Sequence, residues 1–121
     1  MTLVKCMGWI IDIDNTKATN EEWKRITEEQ LRTAAHFEIH CWSDETDSIA
    51  LALKYGTVKP DNWAHGTVIA GDVTPEFTDM LLSIPKPDKG DDCYNKMTPF
   101  FTIHLDNGYW SEHYGTELNH E

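Results

Sequence analysis

His36-Phe37-Glu38-Ile39-His40-Cys41-Trp42 alternates with a period of two: Phe37, Ile39 and Cys41 fall on one side, and His36, Glu38, His40 and Trp42 on the other. A strand with one apolar and one polar side fits a sheet covered on a single face. Parallel strands buried on both sides usually read as unbroken apolar runs instead. The stretch therefore predicts an α+β arrangement with a mixed or antiparallel sheet and helices mainly on one face, and disfavours a doubly wound parallel sheet.

Upstream, Trp9-Ile10-Ile11-Asp12 belongs to an apolar run over residues 3–13 that reads as a buried first strand. Thr19-Asn20-Glu21-Glu22 has the form of a capping box. Trp23, Ile26, Thr27, Leu31 and Ala34 then recur at helical spacing, which predicts a helix over about residues 20–34. Downstream, Ser43 to Asp47 offers a cap and first-turn acids for a second helix that Gly56 is placed to end. Val58 to Asn62 reads as a connector and His65 to Val73 as a third strand. Thr74-Pro75-Glu76 opens a third helix carrying Phe77, Met80, Leu81 and Ile84, and a Pro-, Asp- and Gly-rich loop follows. Residues 99–106 and 109–114 flank Asn107-Gly108 and read as a C-terminal hairpin. A two-residue loop sets Leu105 against Trp110 and Phe101 against Tyr114, with His104 and Ser111 on the other side. A three-residue loop flips these faces. The predicted order is β-α-β-α-β-α-β-β in one domain spanning residues 1–121.

The charge balance bears on partners more than on fold. Twenty-one Asp and Glu against ten Lys and Arg leave a formal charge of −11, which repels phosphate backbones and anionic membranes and attracts basic surfaces. No direct nucleic-acid or membrane contact is expected. Three cysteines, Cys6, Cys41 and Cys93, stand at wide spacings without CxxC, and the N-terminal run meets Asp12 too early for a signal peptide; a cytoplasmic location is the expectation. With 40% apolar residues and five tryptophans, the chain can bury a core despite its charge.

Two sets of residues could carry function. Acids cluster at Asp44, Glu45 and Asp47, at Asp88, Asp91 and Asp92, and near the C-terminus at Glu112, Glu117 and Glu121. Trp42 and Trp63 stand in polar company beside the first cluster and Asp61-Asn62. Each acid group has a plain explanation in helix-dipole complementation or solvation, but together with aromatic anchors they fit a basic protein partner. The expectation is a protein-binding module without a cofactor, occupying a nucleic-acid-binding surface of its partner, of the kind mobile elements use as inhibitors. A homodimer paired through the edge of the terminal hairpin is a further reading.

The rival is catalytic. Gly8-Trp9-Ile10-Ile11-Asp12-Ile13-Asp14-Asn15-Thr16 resembles the first motif of haloacid-dehalogenase-type phosphatases, a hydrophobic strand ending in Asp-x-Asp-x-Thr. The resemblance covers residues 8–16 and departs from the family at Lys17, where a hydrophobic residue is usual. It implies Asp12 as nucleophile, Asp14 as general acid and base, and a Mg²⁺ ion held by Asp12 and by Asp72 of Val68-Ile69-Ala70-Gly71-Asp72. Turn formation at a strand end accounts for Asp12, Asp14 and Asn15 equally well. The site requires Asp12 and Asp72 to converge at the carboxyl ends of adjacent parallel strands. The six histidines raise a metal question too, because His36 and His40 share a strand side with Glu38, and His104 and His113 would lie diagonally on one hairpin face.

Overall fold

In the computed structural model, residues 9–12, 20–60, 63–87 and 96–120 are described, the first of these segments by its backbone alone. The strands are β1 (Trp9–Asp12), β2 (His36–Trp42), β3 (Thr57–Val58), β4 (Gly66–Asp72), β5 (Thr102–Leu105), β6 (Tyr109–Glu112) and β7 (Glu117–His120). The helices are α1 (Glu21–Leu31), α2 (Thr46–Ala52) and α3 (Pro75–Ser83). Among the described residues they form one seven-stranded sheet in the order β1-β7-β6-β5-β2-β4-β3, and every neighbouring pair is antiparallel. The α+β class and the antiparallel option are as the alternation in β2 predicts.

That alternation is seen directly in burial. Phe37, Ile39 and Cys41 are at most 2% exposed and join Ile69, Ile103, Leu105, Tyr109 and Leu118 on the covered face. The helices close this core with Trp23, Ile26 and Leu31 from α1, Ala52 from α2, and Phe77 and Leu81 from α3. Phe77 lies flat against Phe37, ring centroids 3.9 Å apart and planes within 4°. α3 begins as its sequence predicts: the Thr74 hydroxyl accepts the Phe77 amide at 3.0 Å, with Pro75 in the first turn.

The other two helix starts differ. Asn20 stands at the α1 cap position, but its amide donates to the Met97 carbonyl at 3.0 Å and does not cap the helix; Thr19 of the capping box lies outside the described residues. α2 has its cap position at Glu45, two residues after Ser43, and no side-chain cap. Gly56 follows α2 for a tertiary reason: a Cβ there would lie 2.5 Å from the Ala70 carbonyl oxygen, so only glycine lets the chain pass β4 closely. The segment read as a connector after it contributes the short strand β3, paired to Ala70 and Ile69.

The hairpin takes the three-residue loop. His104 pairs with Trp110 and Ile103 with Ser111, leaving Asp106, Asn107 and Gly108 as the loop, with Gly108 at φ 94°. Tertiary contacts select it. The Asp106 carboxylate accepts the Ala35 amide at 2.9 Å, and the Asn107 amide donates to the Gln30 carbonyl at 3.0 Å and to the Thr33 hydroxyl at 2.8 Å. The faces are therefore the reverse of the two-residue expectation: Trp110 joins His104 on the open face and Ser111 is fully buried. Strand β6 also stops at Glu112, because His113 and Tyr114 adopt positive φ of 52° and 61° in a turn that leads into β7. Glu117, expected in a solvated tail, is a strand residue opposite Glu112. Both sides of the hairpin are occupied, β5 by β2 and β6 by β7, so the homodimer through its edge has no edge to use.

Candidate functional site

The helix-free face of the sheet carries the polar half of β2. His36, Glu38, His40 and Trp42 project there, beside His104 of β5 and Trp110 of β6. At the Trp42 end the strand gives way to a cluster of rings. Trp42 lies 4.6 Å from Trp63 and 5.1 Å from Phe101 between centroids, and His65 flanks both indoles at 6.1 Å and 5.7 Å. None of these rings belongs to the buried core; Trp42, Trp63 and Phe101 are half-buried and His65 is exposed.

A groove of about 600 Å³ opens beside this cluster, lined by Trp42, Asp44, Glu45, His65, Lys96 and Tyr114. Glu45 is fixed in its wall. One carboxylate oxygen accepts the Trp42 backbone amide at 2.8 Å and the other accepts the Tyr114 hydroxyl at 2.7 Å, tying β2 to the turn after β6. The Lys96 ammonium stands over the Tyr114 ring, 4.1 Å from its centroid. Asp44 is exposed and makes no hydrogen bond or ion pair among the described residues.

Of the residues singled out from sequence for binding, Trp42, Asp44 and Glu45 therefore line one groove, and Trp63 packs on Trp42. Asp47 lies exposed in the first turn of α2, as dipole complementation predicts. Asp88, Asp91 and Asp92 lie outside the described residues. The sequence presents His65 and Tyr114 only as strand and hairpin residues and does not single out Lys96, because nothing local links them to Trp42; the positive φ at Tyr114 and the return of the chain before β5 bring them in.

The opposite end of the open face holds a hollow of about 350 Å³ between His36, Glu38, Asp72 and His104. His36 Nδ1 is 2.9 Å from Asp72 Oδ1, an exposed pair. Lys59 Nζ lies 2.8 Å from Glu38 Oε2 and holds the Glu38 carboxyl below its ordinary value, with a smaller contribution from His40. His104 stacks on Trp110 with centroids 3.9 Å apart. The histidine-bearing strands do meet, yet no group of three His, Cys, Asp or Glu is placed to hold a metal ion among the described residues. His113 lies past the end of β6 rather than on a hairpin strand, and its Nδ1 is 2.9 Å from Glu117 Oε1.

The phosphohydrolase arrangement does not assemble. Following the antiparallel pairings across the sheet, β1 and β4 run in opposite directions with β7, β6, β5 and β2 between them. Asp12 is in register with Glu117, whereas Asp72 is in register with His36 at the other end of the sheet. Five strand spacings alone separate them by about 24 Å, beyond the reach of one Mg²⁺ ion. Asp14 lies outside the described residues. Cys41 is fully buried, and burial first, and the Glu45 charge second, push its thiol up to about 12, the opposite of an activated thiolate.

Comparison with known proteins finds no matching family model, no matching curated protein and no matching solved structure. No helix among the described residues is long and apolar enough to cross a membrane.

Proposed function

We propose that this chain is a protein-binding module that docks on a basic, nucleic-acid-binding surface of a partner protein through the Trp42 end of its open sheet face. The observation that carries this reading is the junction of half-exposed aromatic rings with a carboxylate, Asp44, that has no partner among the described residues, on a chain of formal charge −11. Aromatic side chains supply contact area at small entropic cost, and the surrounding negative field accelerates encounter with a basic surface. The core needs none of these rings, which leaves them available to a partner.

The test is titration against a panel of basic DNA- and RNA-binding proteins at low and at raised ionic strength, with duplex DNA as competitor. A stoichiometric complex that weakens with salt and is displaced by DNA is expected. No complex with any panel member at low ionic strength, or a complex indifferent to salt and DNA, would overturn the reading.

A further inference from the structure

We propose that the groove beside Trp42 selects arginine over lysine: its occupant is an arginine-bearing segment of the partner. This rests on the binding reading above and names the chemistry that the site takes. The division of labour between its two acids leads there. Glu45 has both oxygens committed, to the Trp42 amide and the Tyr114 hydroxyl, so its charge shapes the wall. Asp44, which lines the same groove, has its carboxylate unengaged by any of the described residues.

The groove also carries the rings of Trp42, His65 and Tyr114, beside Ser43 and Lys96. A guanidinium is planar, weakly hydrated and forked, so it can lie on an indole while giving two parallel N–H bonds to one carboxylate; an ammonium is a compact, strongly hydrated point charge that can do only one of these well. Trp42 lines the groove beside Asp44 and offers such a face, and Trp63 packs on Trp42 at 4.6 Å and 57°, so the loss of Trp63 would release that ring. The Tyr114 ring in the same groove is already covered by the Lys96 ammonium, 4.1 Å from its centroid, so Trp42 supplies the indole on which a guanidinium would lie. At about 600 Å³ it exceeds one side chain and accommodates a short stretch of peptide.

Hexa-arginine and hexa-lysine peptides carry equal charge and separate this proposal from general attraction. Each is titrated calorimetrically into the wild type, Asp44→Asn, Trp63→Leu and Asp79→Asn. The last removes an equal charge from an exposed position on α3, which packs on the opposite face. Hexa-arginine is expected to bind the wild type about fivefold more tightly than hexa-lysine. Asp44→Asn and Trp63→Leu are expected to erase that preference, while Asp79→Asn keeps it. Equal binding of the two peptides to the wild type, or loss of the preference in Asp79→Asn to the same extent as in Asp44→Asn, overturns arginine selection and leaves the acidic docking surface standing. Failure of both peptides to bind at low ionic strength overturns both. Asp44 is exposed, so the result does not depend on whether the Trp63 variant folds well.

Discussion

Replacing Ser111 with alanine tests the hairpin register on which the composition of both sheet faces depends. In the three-residue loop, Ser111 Oγ accepts the Trp23 indole N–H at 3.0 Å, and the two residues are 0% and 1% exposed. Alanine removes the acceptor and leaves the indole N–H buried without a partner, a cost of about 1–3 kcal/mol. Unfolding entropy of about 2.1 cal/mol/K per residue amounts to about 0.25 kcal/mol/K over 121 residues. A loss of ~2 kcal/mol therefore lowers Tm by about 8 °C. In the two-residue register Ser111 would project from the open face, where the same change costs within about 0.5 kcal/mol. Urea unfolding of the wild type and Ser111→Ala, followed by far-UV circular dichroism, separates the two cases. A stability change below about 0.5 kcal/mol would refute the placement of Ser111 against α1 and, with it, the stacking of Trp110 on His104.

Gly115→Ala is expected to cost about 2–4 kcal/mol in the same assay, because φ is +86° and a Cβ would lie 2.7 Å from Trp23 Nε1; near-neutrality would mean that the turn into β7 is not left-handed. Lys59→Met is expected to raise the Glu38 pKa in a carbon-13 NMR titration, and an unmoved Glu38 would dismiss Lys59 as its main partner. The sign follows from linkage: a carboxyl held below its ordinary 4.5 contributes stability that is full above that pH and is lost as pH falls through the lowered value, so the variant should lose less stability in acid. Cys41, with its thiol near 12 against an ordinary 9.0, should resist a disulfide reagent at pH 8 in a Cys6→Ser, Cys93→Ser background until the protein is unfolded; rapid labelling of the folded protein would contradict its burial. Its stabilising contribution is full below the ordinary value and is lost as pH rises towards 12.

Local signals were legible where a short segment carries its own physics. The alternation of His36 to Trp42 specified which side of β2 is buried, because side chains of a strand alternate whatever its neighbours are. Thr74-Pro75 specified the start of α3, because cap hydroxyl and proline act within one turn. Trp23, Ile26 and Leu31 read correctly as the inner stripe of α1. The Asn107-Gly108 turn was visible, but its length was not. Both loop lengths suit Asn-Gly, and the choice rests on hydrogen bonds from Asp106 and Asn107 to residues more than seventy positions away.

The candidate site divides along the same line. Sequence by itself determined the net charge, the presence of Trp42 and Trp63 in polar surroundings, and the polar identity of one side of β2, since these depend on composition and on period-two geometry alone. Only the tertiary structure decided that Trp42, Asp44, Lys96 and Tyr114 share a groove with Trp63 packed on Trp42, and that Asp12 and Asp72 stand at opposite ends of the sheet. Strand order and direction come from long-range pairing between edges that look alike locally, and the winning pairing is the one that buries the whole apolar face of the sheet under three helices.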